Sequence, residues 1–177
     1  MVVSLIGYRA SGKTSVAPAL AARWQWDWVD ADTELERRAG KTIRQIFADS
    51  GEPEFRRLER EILAELLGRD RLILAAGGGA ILDAGTRARM KAAGPVVWLQ
   101  ADVETLRRRL AADTLTAERR PALTPHGTHD EIAHVLAQRE PFYRECATLI
   151  VETDDLGPEQ IVERIVQALP TPGSRGA

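Results

Sequence analysis

The sequence predicts an α/β protein whose doubly wound parallel sheet forms a single domain. Five short apolar runs alternate along the chain with segments of helical period, as is typical of parallel strands joined by crossover helices. The first apolar run leads directly into a glycine-rich motif, GYRASGKT, at residues 7–14. The chain has 177 residues, which is enough for one domain with a substantial core.

The apolar runs are the predicted strands. They lie at residues 2–6, 28–30, 71–76, 95–99 and 148–152. Their nearly continuous apolar character indicates parallel strands that are covered on both faces. Because the ligand sites of such a sheet lie at the carboxyl ends of its strands, the residues that follow each run are the candidates for function.

Helical periodicity accounts for most of the remaining chain. It predicts helices at 13–23, 42–49, 53–67, 83–93, 102–111, 129–144 and 158–169. Residues 111–128 have no clear period and contain Pro121 and Pro125, and such a segment inside a compact domain is typical of a lid or a disordered loop. We expect the domain to span residues 1–170 and residues 171–177 to be a disordered tail.

The motif at residues 7–14 is a complete GxxxxGKT phosphate-binding loop. Gly7 and Gly12 allow the backbone to fold around a phosphate with its N–H groups pointing inward. The following helix adds unpaired N–H groups and the positive end of its dipole. Lys13 can then reach the terminal phosphates of a nucleotide, and the Thr14 hydroxyl can ligate Mg²⁺.

Two acids, Asp30 and Asp32, follow the second predicted strand. A phosphate loop that uses Mg²⁺ needs a carboxylate nearby, and no aspartate ends the third strand, so Asp30 is the candidate metal residue. Asp32 is the candidate for holding or deprotonating an acceptor hydroxyl. The structural alternative is helix capping, with Asp32 as the N-cap or with Thr33 and Glu36 as a capping box.

A glycine triplet, residues 77–79, follows the third predicted strand. Successive glycines permit the close approach of a small ligand and expose N–H donors. Arg56 and Glu59 lie three residues apart on a predicted helix and can pair there, although an isolated RxxE more often marks a solvated helical surface. Arg120 in the predicted lid and Arg139 on the next helix are either surface charges or anion contacts. Lys13 and one Mg²⁺ do not balance the roughly four negative charges of a nucleoside triphosphate, which favours anion contacts.

Composition excludes several classes of protein. A net charge of −2 argues against a general nucleic-acid binder, and the one cysteine, Cys146, excludes an internal disulfide and a cysteine-rich zinc site. No stretch approaches membrane-spanning length. Because the first strand directly follows Met1, we expect no signal peptide and a cytoplasmic protein without membrane partners.

Taken together, the motifs resemble those of the shikimate kinase family over nearly the whole chain. The motifs stand in the family's order and near its spacing: GYRASGKT at 7–14, DAD at 30–32, GKTIRQIF at 40–47, GEPEFRRLE at 51–59, GGG at 77–79, RPAL at 120–123 and REPFYR at 139–144. The resemblance implies transfer of the γ-phosphate of ATP to the 3-hydroxyl of shikimate, a step towards chorismate and the aromatic amino acids. It also implies a nucleoside-monophosphate-kinase-like P-loop fold with a lid and strand order 2-3-1-4-5, and we expect a monomer.

The resemblance also implies roles for individual residues. Nucleotide contacts come from Ala10, Ser11, Gly12, Lys13, Thr14, Ser15 and Arg120. Shikimate contacts come from Asp32, Arg56, Gly77, Gly78, Gly79 and Arg139, within a substrate region at about residues 30–60 and beyond it. Lys13, Asp32 and Arg120 are the implied catalytic residues, and Thr14 and Asp30 the implied Mg²⁺ residues. Glu59 orients Arg56, and Phe47 and Phe55 form an apolar wall beside the acceptor ring.

The sequence departs from the family pattern where the adenine is expected. Asp113 stands where many members have a lid arginine, and Arg109 or Arg119 is the candidate replacement. Two other functions remain open from the residues: a gluconate-kinase-like or nucleotide kinase with the same fold, and a phosphate-loop binding module without turnover. A gluconate-kinase-like or nucleotide kinase does not require the DAD, FRRLE and glycine-triplet motifs together. A binding module without turnover is disfavoured because Lys13, Thr14, Asp30 and Asp32 are all intact.

Overall fold

All five predicted strands form and join one parallel sheet in the computed structural model, which describes residues 1–112 and 129–169. The strand order is β2-β3-β1-β4-β5, as the family resemblance implies. The strands are β1 (Val2–Ile6), β2 (Asp27–Asp30), β3 (Leu72–Ala75), β4 (Val96–Gln100) and β5 (Leu149–Glu152). Their carboxyl ends lie at one edge of the sheet, where the candidate functional residues follow them.

Helices cover both faces of the sheet. Within the described ranges they are α1 (Lys13–Trp24), α2 (Ala31–Ala39), α3 (Ile43–Leu66), α4 (Ala84–Ala93), α5 (Val103–Ala112), α6 (His129–Cys146) and α7 (Pro158–Ala168), with a short 3₁₀ helix at Ala80–Leu82. The core therefore has two main parts. Residues of β1, β3 and β4 that point to one face pack against α2, α3, α4 and α6, and those that point to the other face pack against α1 and α7.

A third, smaller apolar cluster lies beside the phosphate loop. It contains Tyr8, Ala101, Leu106, Ile132 and Val135, and it joins the loop to α5 and α6. The Tyr8 side chain is almost fully buried there. The helix that carries Arg139 is thus packed directly against the loop.

The sequence-based expectation of strands covered on both faces is wrong for the two edge strands. In β2 no residue is fully buried, and Trp28 is 43% exposed. In β5 only Val151 is buried. Each of these strands has a neighbour on one side only, and the helices cover the central strands β1, β3 and β4 more completely.

Helix α2 was not predicted, because its sequence is polar and buries only Ala31 and Leu35. The capping predictions for this segment are also wrong. The N-cap is Asp30, whose Oδ1 accepts hydrogen bonds from the backbone N–H groups of Asp32 (3.0 Å) and Thr33 (3.2 Å). Glu36 instead accepts a hydrogen bond from the N–H of Ile43, the first residue of α3.

Helix α3 joins the two helices predicted at 42–49 and 53–67. Between them, Gly51 has non-helical dihedral angles (φ 77°, ψ 177°), two residues before Pro53. Proline lacks the N–H that an unbroken helix requires, and glycine tolerates the positive φ, so the helix kinks here. The segment after the kink carries Arg56 and Glu59.

A network of surface ion pairs connects α2 to α3. Arg38 on α2 pairs with Glu34 on its own helix and with Glu65 on α3. Hydrogen bonds from Arg37 and Arg38 lower the pKa of Glu34 to about 2, and those from Arg38 and Arg69 lower the pKa of Glu65 to about 2. Both carboxylates therefore remain ionised at neutral pH and hold α2, with Asp30 and Asp32, next to the helix of Arg56.

Several predictions lie outside the described residues. These are the lid beyond Ala112, which contains Asp113, Arg119 and Arg120, and the tail at 171–177. The first two residues of the predicted lid, 111 and 112, belong to α5. No helix within residues 1–112 and 129–169 has both the length and the apolar character needed to cross a bilayer.

Candidate active site

The loop between β1 and α1 has the backbone that its glycines predict. Gly7 (φ 145°), Ala10 (φ 62°) and Gly12 (φ 104°) all have positive φ. A Cβ on Gly7 would lie only 2.5 Å from the carbonyl oxygen of Leu99, so this position also requires glycine for space. Gly12 is the N-cap of α1 and makes no side-chain cap hydrogen bond, and the first turn contains no acid. The positive end of α1 is therefore directed into the loop, where an anion is stabilised.

Lys13 is buried inside the loop that precedes it. Its Nζ donates hydrogen bonds to the carbonyl oxygens of Gly7 (2.8 Å) and Tyr8 (2.8 Å) and approaches Ser11 Oγ (3.4 Å). The ammonium group thus closes the loop and brings a positive charge to its concave side.

The two predicted metal residues are in direct contact. Thr14 Oγ1 donates a hydrogen bond of 2.9 Å to Asp30 Oδ2, while Asp30 Oδ1 caps α2. A hydroxyl and a carboxylate oxygen beside a phosphate loop are hard ligands of the kind that Mg²⁺ prefers. Within the described residues no group of three or more His, Cys, Asp or Glu side chains forms a metal cage.

A cavity of about 320 Å³ extends from the loop along the start of α1. Its lining combines Ala10, Gly12, Lys13, Thr14, Ser15, Val16, Arg109, Leu156, Pro158 and Ile161. Arg109 comes from α5 and donates hydrogen bonds to the carbonyl oxygen (2.5 Å) and the hydroxyl (3.2 Å) of Thr153, after β5. Of the two candidates for the missing lid arginine, Arg109 is thus located at a cavity that continues from the loop, and Arg119 lies outside the described residues.

On the other side of the loop, Arg56 is held by two carboxylates. Its Nη1 donates to Glu59 Oε2 at 2.7 Å, and its Nε and Nη2 lie 3.2 Å from Glu52 Oε1. Burial raises the pKa of Glu59, and the positive charge of Arg56 opposes that rise. The ionised form of this carboxylate therefore depends on Arg56, and the pair fixes the guanidinium in place.

The glycine triplet lies between the loop and the arginines. A Cβ on Gly79 would lie 2.7 Å from both Nη atoms of Arg56. A Cβ on Gly78 would lie 3.4 Å from the carbonyl oxygen of Gly7 and 3.6 Å from Arg139 Nη1. The predicted close approach at the triplet is therefore made by the protein's own loop and arginines. Gly77 accepts a hydrogen bond from the N–H of Ala80 and begins the 3₁₀ turn.

Arg139 on α6 reaches the same glycines. Its Nη1 donates to the carbonyl oxygen of Gly78 (3.2 Å), which also accepts a bond of 2.6 Å from the Tyr143 hydroxyl. Its guanidinium lies 5.9 Å from the centre of the Tyr8 ring. The rings of Phe47 and Phe55 lie 4.9 Å apart and pack against each other.

The structure brings most predicted site residues to one edge of the sheet and adds others that sequence reasoning missed. Asp32 is half-buried in the first turn of α2, beside Asp30, and Arg120 lies outside the described residues. Glu52 and Tyr143 were not predicted, although each stands four residues from a predicted arginine on the same helix, Glu52 before Arg56 and Tyr143 after Arg139. That helical spacing is a signal that could have identified them.

The fold and the phosphate loop define a class of protein, the P-loop kinases, and in this chain a small polar surface of arginines and glycines adjoins the loop. The comparisons with known proteins are specific within that class. A sequence model of shikimate kinase matches residues 9–170. The chain belongs to the shikimate kinase family, and it is therefore an enzyme that phosphorylates shikimate on the route to aromatic compounds.

Individual relatives agree with this assignment. The chain is 42% identical to a shikimate kinase of Thermobifida fusca, over 96% of this chain and 95% of that protein. It is 39% identical to a shikimate kinase of Rhodopirellula baltica, over 94% and 89% of the two chains. A solved shikimate kinase from Acinetobacter baumannii, in complex with shikimate, superposes with a TM-score of 0.88 at 36% identity, covering 94% of this chain and 91% of that one.

Proposed function

We propose that the protein transfers the γ-phosphoryl group of ATP to the 3-hydroxyl of shikimate between the phosphate loop and the Arg56–Gly79 site. The observation that carries this proposal is their proximity: Gly78 lies against Gly7 of the loop, while its neighbour Gly79 lies against Arg56. The donor and acceptor sites thus adjoin through the backbone of the glycine triplet. Proximity of this kind accounts for much of the catalysis of phosphoryl transfer.

In this proposal the charged residues of the site have separate roles in binding and catalysis. Lys13 and the N–H groups at the start of α1 bind the phosphates. Arg56 and Arg139 grip the acceptor carboxylate, since a guanidinium recognises a carboxylate through two parallel hydrogen bonds. Asp32 holds the hydroxyl and accepts its proton. Arg120, in the predicted lid, is proposed to contact the phosphates on closure.

Thr14 and Asp30 are the residues proposed to hold Mg²⁺, Thr14 directly and Asp30 through a bound water. The ion, when bound, neutralises charge on the β- and γ-phosphates. Support for this assignment comes from the 2.9 Å contact between the Thr14 hydroxyl and Asp30 Oδ2. The single-domain extent of residues 1–170, the monomeric state and the cytoplasmic location stay predictions, and light scattering of the purified protein tests the second.

The direct test of the activity is ADP release by the purified protein with Mg·ATP and different acceptors. We expect release with shikimate and only background with gluconate, a nucleoside monophosphate or no acceptor. Turnover with gluconate or a nucleotide instead would indicate a different kinase on the same fold. Nucleotide binding without turnover on any acceptor would indicate a binding module.

The cavity along α1, whose lining includes Arg109 and Pro158, is proposed to take the base of the nucleotide. Replacing Arg109 by alanine is expected to raise KM for ATP about tenfold or less, because a guanidinium over a π face is worth about 0.5–2 kcal/mol. KM for shikimate should stay the same. The matched control is Arg107→Ala two residues earlier, whose guanidinium pairs with Glu104 and does not line the cavity. Equal ATP KM values in both variants would contradict this position for the base.

Replacing Gly79 by alanine is expected to raise KM for shikimate about tenfold or more, because a small displacement of a binding group has effects of this size. The new Cβ would lie 2.7 Å from the Arg56 guanidinium, which must move off Glu59. Since that guanidinium is the end of a flexible side chain, the thermal midpoint should change little. The control is Gly78→Ala, whose Cβ would have no neighbour closer than 3.4 Å. This variant should raise KM for shikimate less than Gly79→Ala does. A larger effect at Gly78 would overturn this interpretation.

A further inference from the structure

A buried acid and an arginine of the phosphate loop have no role in the assignments above. Glu131 lies in the first turn of α6, and its side chain is 2% exposed. Neither of its carboxylate oxygens has a hydrogen-bond partner among the described residues. Arg9 Nη2 lies 3.9 Å from Glu131 Oε1, which is an ion-pair contact without a hydrogen bond.

Arg9 occupies a central position in the site. It stands in the loop between Gly7 and Lys13, and its backbone nitrogen lies 3.5 Å from the position that a Cβ on Gly78 would take. Its side chain is 16% exposed, and its guanidinium lies 5.8 Å from the centre of the Tyr8 ring. Arg139 approaches the same ring at 5.9 Å. Arg9 therefore lies where the nucleotide loop, the glycine triplet and the acceptor-binding helix meet.

The hydrogen-bonding capacity of Arg9 is largely unused. Its Nε is buried and has no hydrogen-bond partner in the described part of the chain. A buried carboxylate that is not joined to its cationic partner by hydrogen bonds is costly, because its desolvation is incompletely compensated. A pair whose purpose was stability would be expected to close the 3.9 Å gap with hydrogen bonds. An arginine with unused donors beside a phosphate loop instead suits a charge that appears only during reaction.

We propose that Arg9 is a further catalytic residue, which donates hydrogen bonds to the phosphoryl group in transit, and that Glu131 is the positioning residue that holds its guanidinium. This inference rests on the proposed function. In the step concerned, the acceptor hydroxyl oxygen forms a bond to the γ-phosphorus while the bond from that phosphorus to the β–γ bridging oxygen breaks. ADP leaves with the electron pair, and the hydroxyl proton passes to Asp32. Arg9 stabilises the negative charge on the equatorial oxygens and is unchanged by the step.

The geometry distinguishes this role from that of an ion pair that only stabilises the fold. Among the described residues, Glu131 is linked to the site through its contact with Arg9, so removing its charge should matter only while Arg9 is present. Glutamine in place of Glu131 keeps the size of the side chain but leaves the Arg9 guanidinium without its counter-charge, so the thermal midpoint is expected to fall along with turnover. An ion pair that serves stability alone would give a lower midpoint with an intact kcat of the folded protein.

The experiment measures kcat and both KM values for Arg9→Gln, Glu131→Gln and the double variant, with thermal midpoints. Arg9→Gln is expected to lower kcat about 10²-fold, the usual effect of losing one preorganised donor, with both KM values within about threefold of the wild type. Glu131→Gln should lower kcat about tenfold, and the double variant should match Arg9→Gln, because residues that act as a unit are not additive. Arg9→Lys keeps the charge and should recover part of the loss; it also replaces Arg9→Gln if that variant does not fold. The matched control is Arg144→Gln on α6, which loses an ion pair with Glu140 and a contact with the Trp98 ring and should keep wild-type kcat.

Three results would overturn the proposal. The first is a wild-type kcat in the Arg9→Gln variant. If only Arg9→Lys folds, a wild-type kcat in that variant counts instead. The second is a loss confined to KM for shikimate, which would make Arg9 a binding residue. The third is a double variant whose loss is the product of the single losses. A wild-type protein without shikimate-dependent ADP release would instead refute the proposed function, and the two failures are therefore distinguishable.

Discussion

Replacing Lys13 by methionine is expected to lower kcat about 10³-fold, the lower end of the effect of an arginine finger, which likewise stabilises the transferring phosphoryl group in GTPases. Methionine keeps the length and apolar stem of the side chain but removes the ammonium group that bonds to the Gly7 and Tyr8 carbonyl oxygens. We therefore also expect weaker nucleotide binding, because the loop loses the contact that closes it. Steady-state kinetics and titration with ADP measure the two effects.

The matched control for Lys13 is Lys41→Met. Lys41 is exposed and pairs with Asp49 on the surface of α3, so this variant removes the same charge away from the loop and should keep wild-type activity. Equal kcat values in the two variants would refute the role given to Lys13. A loss of ADP binding together with a much lower thermal midpoint would mean that Lys13 chiefly maintains the loop.

Replacing Asp32 by asparagine is expected to lower kcat at least about 10²-fold, the scale of a positioned acid–base group. The backbone should not change, because it is the N–H of Asp32 that donates to Asp30, and this bond survives the substitution. A loose transition state demands little of a base, so part of the loss is expected from poorer orientation of the hydroxyl. Steady-state kinetics with shikimate as the varied substrate separate kcat from KM.

The control for Asp32 is Glu34→Gln, which removes an acid from the same turn of α2. Glu34 pairs with Arg37 and Arg38 on the protein surface, and its loss should affect stability and leave kcat unchanged. If Asp32→Asn turned over at nearly the wild-type rate, the hydroxyl would have to be activated by another group.

Local features of the sequence predicted the strands, the phosphate loop and the strand ends that carry function. The motif GYRASGKT predicts its own structure, because the positive φ angles of the loop and the start of the helix depend only on residues adjacent in sequence. Arg56 and Glu59 were predicted as a pair for the same reason, since three residues on a helix span one turn.

The predictions that were wrong depended on neighbours distant in sequence or on competing local partners. Helix α2 has too few apolar residues to show a period, and it forms because Asp30 caps it and α3 packs against it. The edge strands look like central strands in sequence, because an apolar run does not reveal how many neighbours it will have.

The sequence by itself determined the class of fold, the phosphate loop and, through its ordered motifs, the shikimate kinase family. Only the tertiary structure decided which side chains meet across the sheet edge: Thr14 with Asp30, Gly79 with Arg56, Arg109 with Thr153, and Arg9 with a buried Glu131. The physical reason is that local motifs are set by the backbone angles and hydrogen bonds of adjacent residues. Burial and charge pairing depend on elements that the sheet brings together from far along the chain.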